Sequence, residues 1–146
     1  MDKDLNKIHA LMRQLFGLVH RLEDEAIKAS EFSDLSRAEI SAIMAIGTGR
    51  PKTMTHVANI LEINVSTLTT TINKLVKKGY VERLRDDKDR RIVKIGLSKK
   101  GIAAATERDS FMGELLRGAV EQVEPDKLRY FISAIDNRSP DRKSVV

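Results

Sequence analysis

The sequence has no cysteine and no tryptophan. Without a thiol there can be no disulfide, no thiolate metal site and no cysteine nucleophile. Aromatic residues make up only 4% of the chain against 41% hydrophobic residues overall, so the core must be built from Leu, Ile, Val, Ala and Met. No apolar run approaches the length of a membrane span. The opening Met1-Asp2-Lys3-Asp4 is charged and has no apolar stretch behind it, so no secretory leader is expected. The expectation is a soluble cytoplasmic protein. Also missing are a glycine-rich phosphate loop, a nucleophile beside its base, and paired carboxylates in an evident cleft. Asp86, Asp87 and Asp89 do cluster, but cations interrupt them as in a polar turn. Neither an enzyme nor a cofactor is expected.

At 146 residues the chain is the size of one compact domain. Its net charge of +5 suits a polyanionic partner, though many proteins share such a balance. Leu5, Ile8, Met12, Leu15, Val19, Leu22 and Ala26 alternate spacings of three and four, the heptad seam of a long first helix. A narrow apolar stripe needs a partner, either within the subunit or in a second copy.

Ser36 and Glu39 have capping-box spacing, and Ile40, Ile43, Met44 and Ile46 follow up to Gly47. Pro51 reads as part of the next turn, and Thr53 as the N-cap of a short helix that buries Val57, Ala58, Ile60 and Leu61. After a break at Glu62-Ile63, Asn64 reads as the N-cap of a helix to Lys78, whose inward face is Val65, Leu68, Ile72, Leu75 and Val76. Two strands follow, Tyr80–Arg85 and a run with Val93, Ile95 and Leu97 at period two, joined by a charged turn. Ser98 caps a long helix. Pro125 opens a last one with Leu128, Phe131, Ile132 and Ile135, and residues 137–146 read as a loose tail.

Two short helices with a tight break, then a basic hairpin, make a winged helix-turn-helix, in a mainly α fold with a small β-hairpin wing. The Asn64 helix presents Ser66, Thr67, Thr70, Asn73, Lys74 and Lys77 outward. Short hydrogen-bonding side chains near its start suit base edges in a major groove, and the cations further along suit phosphates. The plainer alternative is a solvated, Thr-rich surface. Three adjacent threonines, Thr69 to Thr71, are poor helix formers and want another explanation. From Asn64 to Gly101 there are 11 basic and 4 acidic residues, so this segment is more positive than the whole chain. Neutralising phosphates calls for that distribution.

The runs Gly79-Tyr80-Val81-Glu82-Arg83, Arg85-Asp86-Asp87-Lys88-Asp89-Arg90-Arg91 and Leu97-Ser98-Lys99-Lys100-Gly101 resemble the wing signature of the MarR family. The order of elements is similar over nearly the whole chain. The resemblance implies a two-fold dimer joined by the N- and C-terminal helices, with the Asn64 helix in the major groove and the wing tip in the minor groove. On that pattern residues 1–136 form a single domain, with a reading lobe over about 34–101 and dimerisation helices over about 3–29 and 98–136. An Asp-x-Arg pair steadies the wing in the family and here falls on Asp89 and Arg91, with Arg90 a second candidate for insertion. The alternative for these arginines is ion pairing within the hairpin. This chain departs from the common pattern at Thr70, where many members carry Arg, so the bases it reads are left open. The function implied is a double-stranded DNA-binding transcriptional regulator on an inverted-repeat operator, a repressor relieved by a small-molecule effector. The alternative is a winged helix that contacts only protein.

The histidines are His9, His20 and His56. His20 and Asp24 lie one helical turn apart, a conceivable pair of metal ligands, although a solvated helix residue explains His20 as well. No metal site is expected, and no role is assigned to His9 or His56.

Overall fold

The computed structural model describes residues 2–136, so the tail expected over 137–146 lies outside the described residues. In chain order the elements are α1 (Asp2–Ala29), α2 (Arg37–Ile46), β1 (Lys52–Thr53), α3 (Met54–Leu61), α4 (Val65–Lys77), β2 (Val81–Arg85), β3 (Val93–Leu97), α5 (Lys99–Val120) and α6 (Pro125–Asp136). Two compact units share the chain, residues 1–108 and 109–146.

The first unit holds the core. Ile43, Ile46, Val57, Leu68, Ile72, Leu75 and Ile95 are buried together, so α2, α3, α4 and β3 each contribute to it. Two aromatics join them, Phe32 and Tyr80, their rings edge to face with centroids 6.2 Å apart. Caps set the helix starts. The Ser36 hydroxyl accepts from the Glu39 N–H at 3.3 Å, and the Glu39 carboxylate accepts from the Ser36 N–H at 2.7 Å. The Thr53 hydroxyl accepts from the His56 N–H at 3.2 Å. Asn64 holds the N-cap position of α4 but makes no side-chain cap. The break before it is tight because Glu62 is left-handed, at φ 54°.

The inward faces differ from the sequence reading at Ile60 and Val65, which were expected inside. Ile60, Ile63 and Val65, around the turn from α3 to α4, are exposed. Ile60 and Val65 obey the helical spacing of their neighbours but sit at helix ends, beyond the reach of the core that covers Leu68 and Val57.

A third strand went unread. Lys52 and Thr53, expected in a turn and a cap, also pair antiparallel with Ile95 and Lys94, giving the sheet order β1-β3-β2. Two residues carry no period, so a strand of this length has no sequence signal. The hairpin β2–β3 runs from Val81↔Leu97 to Arg85↔Val93. Its base is anchored at both ends. Gly79, at φ 84°, turns the chain out of α4. The Ser98 hydroxyl donates to the Gly79 carbonyl at 2.5 Å and accepts from the Gly101 N–H at 3.1 Å. Gly101 is obligatory here, because a Cβ would lie 2.1 Å from the Tyr80 carbonyl oxygen.

α1 is different in kind. Of its 28 residues only Glu23 is buried. Leu5, Ile8, Met12 and Leu15 of the heptad seam are exposed, and so are Leu11, Phe16 and Leu18 beside it. In the second unit α6 leaves Tyr130, Phe131 and Ile132 exposed.

Candidate nucleic-acid interface

α4 buries Leu68, Ile72 and Leu75 and turns Ser66, Thr67, Thr70, Asn73, Lys74 and Lys77 to the outside. The threonines have a structural use the sequence did not reveal. The hydroxyls of Thr69, Thr70 and Thr71 donate to the carbonyls of Val65, Ser66 and Thr67, at 2.8, 3.4 and 3.4 Å. This back-bonding satisfies the hydroxyl proton within the helix. Asn73 is also engaged, since its side-chain oxygen accepts from Arg83 on β2. Arg83 thus ties the reading helix to the wing, a role that no local pattern foretold.

At the wing tip Asp89 and Arg91 are in contact. Arg91 donates to the Asp89 carboxylate from its backbone N–H at 3.0 Å, from Nε at 3.1 Å and from Nη2 at 3.3 Å. The Arg91 guanidinium lowers the Asp89 pKa, and the Arg91 backbone N–H adds to the effect. The Arg91 side chain is 90% exposed, so it is held at its base while its outer edge stays in solvent. Arg90, its neighbour in sequence, is exposed as well.

Asp86, read only as a turn residue, organises the tip. Its carboxylate accepts from the N–H groups of Lys88 at 2.8 Å and Asp89 at 3.1 Å, and pairs with Lys94 on β3. The Lys94 ammonium first, then those two N–H groups, bring its pKa down to about 2.

Several cations counted in the basic segment are engaged by the protein itself. Lys78 donates to the Asp34 carbonyl at 2.5 Å and to the buried Glu39 carboxylate at 2.8 Å. Burial works to raise the Glu39 pKa. Lys78 and the Ser36 N–H and hydroxyl outweigh it, and the net direction is down. The Tyr80 hydroxyl donates to Asp34 at 2.6 Å, while burial and the Asp34 carboxylate push the phenol pKa up. Lys100 lies 4.1 Å above the Tyr80 ring. The exposed cations of the segment are Lys74, Lys77, Arg83, Arg85, Lys88, Arg90, Arg91, Lys99 and Lys100.

A separate cavity of about 270 Å³ lies among His20, Glu23, Asp24, Arg37, Ile40 and Arg108. Asp24 is bound by Arg37 through two hydrogen bonds of 2.8 Å, which lower its pKa. Of the conceivable His20–Asp24 pair, the Asp24 carboxylate is held by Arg37, and His20 Nδ1 lies 3.6 Å from Glu23. Among the described residues no three His, Cys, Asp or Glu side chains gather as metal ligands. Glu23 pairs with Arg108, whose Nη1 is buried without a hydrogen-bond partner. His9 and His56 are exposed, with no part in either site.

A helix-turn-helix whose second helix keeps one polar face outside the core, beside a charged wing, defines a winged-helix protein. The comparisons narrow this. The MarR family model matches residues 33–92. The HTH-type transcriptional regulator SarZ of Staphylococcus saprophyticus is 34% identical over 100 residues, covering 65% of this chain and 68% of SarZ. YpoP, an HTH-type transcriptional regulator of Bacillus subtilis, is 30% identical over 94 residues, 64% of each chain. The matches thus span just under two thirds of YpoP and, at 65%, of the Staphylococcus haemolyticus SarZ. Streptococcus pneumoniae FabT, solved in complex with DNA, superposes with a TM-score of 0.84 at 27% identity, covering 90% of this chain and 92% of FabT. The chain belongs to the MarR family. No described helix is long and apolar enough to cross a membrane.

Proposed function

We propose that this protein is a homodimeric, sequence-specific double-stranded DNA-binding repressor that works in the cytoplasm on an inverted-repeat operator and has no catalytic activity. The observation that carries the reading is the exposed α4 face set beside a wing whose Arg91 is pre-oriented by Asp89. A guanidinium fixed in advance suits a narrow, electronegative minor groove, while α4 has the shape and polarity for the adjacent major groove. The relatives named as transcriptional regulators and the FabT–DNA complex support it. Ser66, Thr67, Thr70 and Asn73 face bases, and Lys74, Lys77, Arg90 and Arg91 meet backbone or minor groove. The exposed apolar face of α1 supports pairing with a second copy. Residues 1–136 then act as one MarR-like domain.

The cavity lined in part by Arg37 and Arg108 supports relief by a small-molecule effector. Repression is the favoured sign, since a dimer on a promoter blocks polymerase without needing an activating surface.

Titrating salt against duplex affinity tests the reading. Log affinity should fall steeply with log salt, by about 0.9 for each phosphate contacted. A flat response, with a protein partner captured instead, would favour the winged helix as a protein-contact module.

A further inference from the structure

The first two turns of α4, Val65 to Ile72, contain no Arg, Lys, Asn or Gln. Gripping guanine through N7 and O6 takes two donors from one such side chain, so this stretch lacks the means. The threonine hydroxyls reduce the donor supply further, because Thr69 and Thr70 already give their single proton to the helix backbone. A hydroxyl that has donated keeps its lone pairs. Each of these threonines therefore offers a partner one methyl and one acceptor. At the head of the same helix Val65 and Ile63 are exposed, although folding gains nothing from leaving them so. Beside the single hydroxyl donors of Ser66 and Thr67, the leading surface is thus made of methyl groups and acceptors.

In the major groove an A·T pair presents the complement of that surface: the thymine C5-methyl for apolar contact and the adenine amino group as a donor. Cytosine shares the donor and lacks the methyl. We infer that the first two turns of α4 select A·T pairs through thymine C5-methyl groups, with Val65 and Thr70 as the specificity-determining residues. The inference rests on the DNA-binding reading above and adds the chemistry of the base that is read.

The test begins with selection of duplexes from a random library by the full-length protein. The selected duplex is then synthesised with thymine, or with uracil at the thymines of one half-site, which removes only the methyls. A·T-rich half-sites are expected, with affinity about tenfold lower for the uracil duplex. Thr70→Val keeps the methyl and should keep the preference for thymine over uracil. Thr70→Ser keeps the hydroxyl and should bring the two duplexes closer together, as should Val65→Ser. Half-sites rich in G·C, or equal affinity for thymine and uracil duplexes, would overturn the inference and leave DNA binding intact. If no sequence is enriched and duplexes bind without salt dependence, the DNA-binding reading falls and takes this inference with it.

Discussion

α1 and α4 both carry an apolar stripe at helical spacing, yet they dispose of it in opposite ways. α4 places Leu68, Ile72 and Leu75 at zero exposure within 13 residues. α1 has 28 residues, and the one it buries is the charged Glu23. A stripe that finds its partner inside the chain contributes to folding. One that does not is available to another molecule. On the proposed reading the two helices serve separate levels of organisation, the fold for α4 and the assembly for α1.

The largest effect should come from cutting into the α4 stripe. Leu68→Ala leaves a cavity among Ile43, Val57 and their neighbours and should cost about 3 kcal/mol in denaturant unfolding. A cost under about 1 kcal/mol would mean that α4 is not the centre of the core. Leu15→Glu in α1 should separate the dimer in sedimentation at micromolar concentration while the helical content of the reading lobe persists. A Leu15→Glu protein that still sediments as a dimer would break the contrast between the two helices.

Smaller effects sharpen the comparison at the wing. Arg91→Ala should weaken duplex binding and lower the salt slope by about one unit for a lost phosphate contact. Asp89→Ala should weaken binding as well, by less, even though it makes the protein more positive. Simple charge attraction gives the opposite sign, so tighter binding by Asp89→Ala at two salt concentrations would eliminate pre-orientation of Arg91. The smallest effect is one of pH. The Asp86 pKa is depressed to about 2, below the ordinary aspartate value near 4. A depressed carboxylate contributes fully above the unfolded value, and its contribution is lost as pH falls through the folded one. The amides of Lys88 and Asp89 should therefore lose protection between about pH 4 and pH 2, and protection unchanged over that window would show that Asp86 does not hold the turn.

Elements long enough to repeat themselves were legible in the sequence. The capping box at Ser36 and Glu39, the α4 stripe and the alternating β3 residues all declare their geometry within a few positions. β1 did not, because two residues have no period and Lys52 joins the sheet only once Ile95 is beside it. The exposure of Ile60 and Val65 was hidden for a related reason: spacing gives a face but not where along the helix the core stops. At the site, the Asp89–Arg91 pair was legible through the resemblance to the MarR wing pattern, and its two residues do meet. Arg83 on Asn73, Lys78 on Glu39 and Arg108 on Glu23 join residues 10, 39 and 85 positions apart. Such pairs exist only after folding. The three threonines were noticed as unfavourable in a helix, but their back-bonding needed coordinates to be seen.

The anchoring of the hairpin has one more consequence, for how such a protein can diversify. Gly79, Ser98 and Gly101 fix where the hairpin leaves the lobe and where it returns, through hydrogen bonds made at its base. The tip is closed by its own carboxylates, and its residues are exposed or half-buried. Lengthening a surface turn costs little, since closure entropy grows only with the logarithm of its length. The turn between Arg85 and Val93, outside the buried part of the hairpin, is therefore a cassette. It can be lengthened, recharged or grafted from a relative, and the lobe that carries it keeps its core.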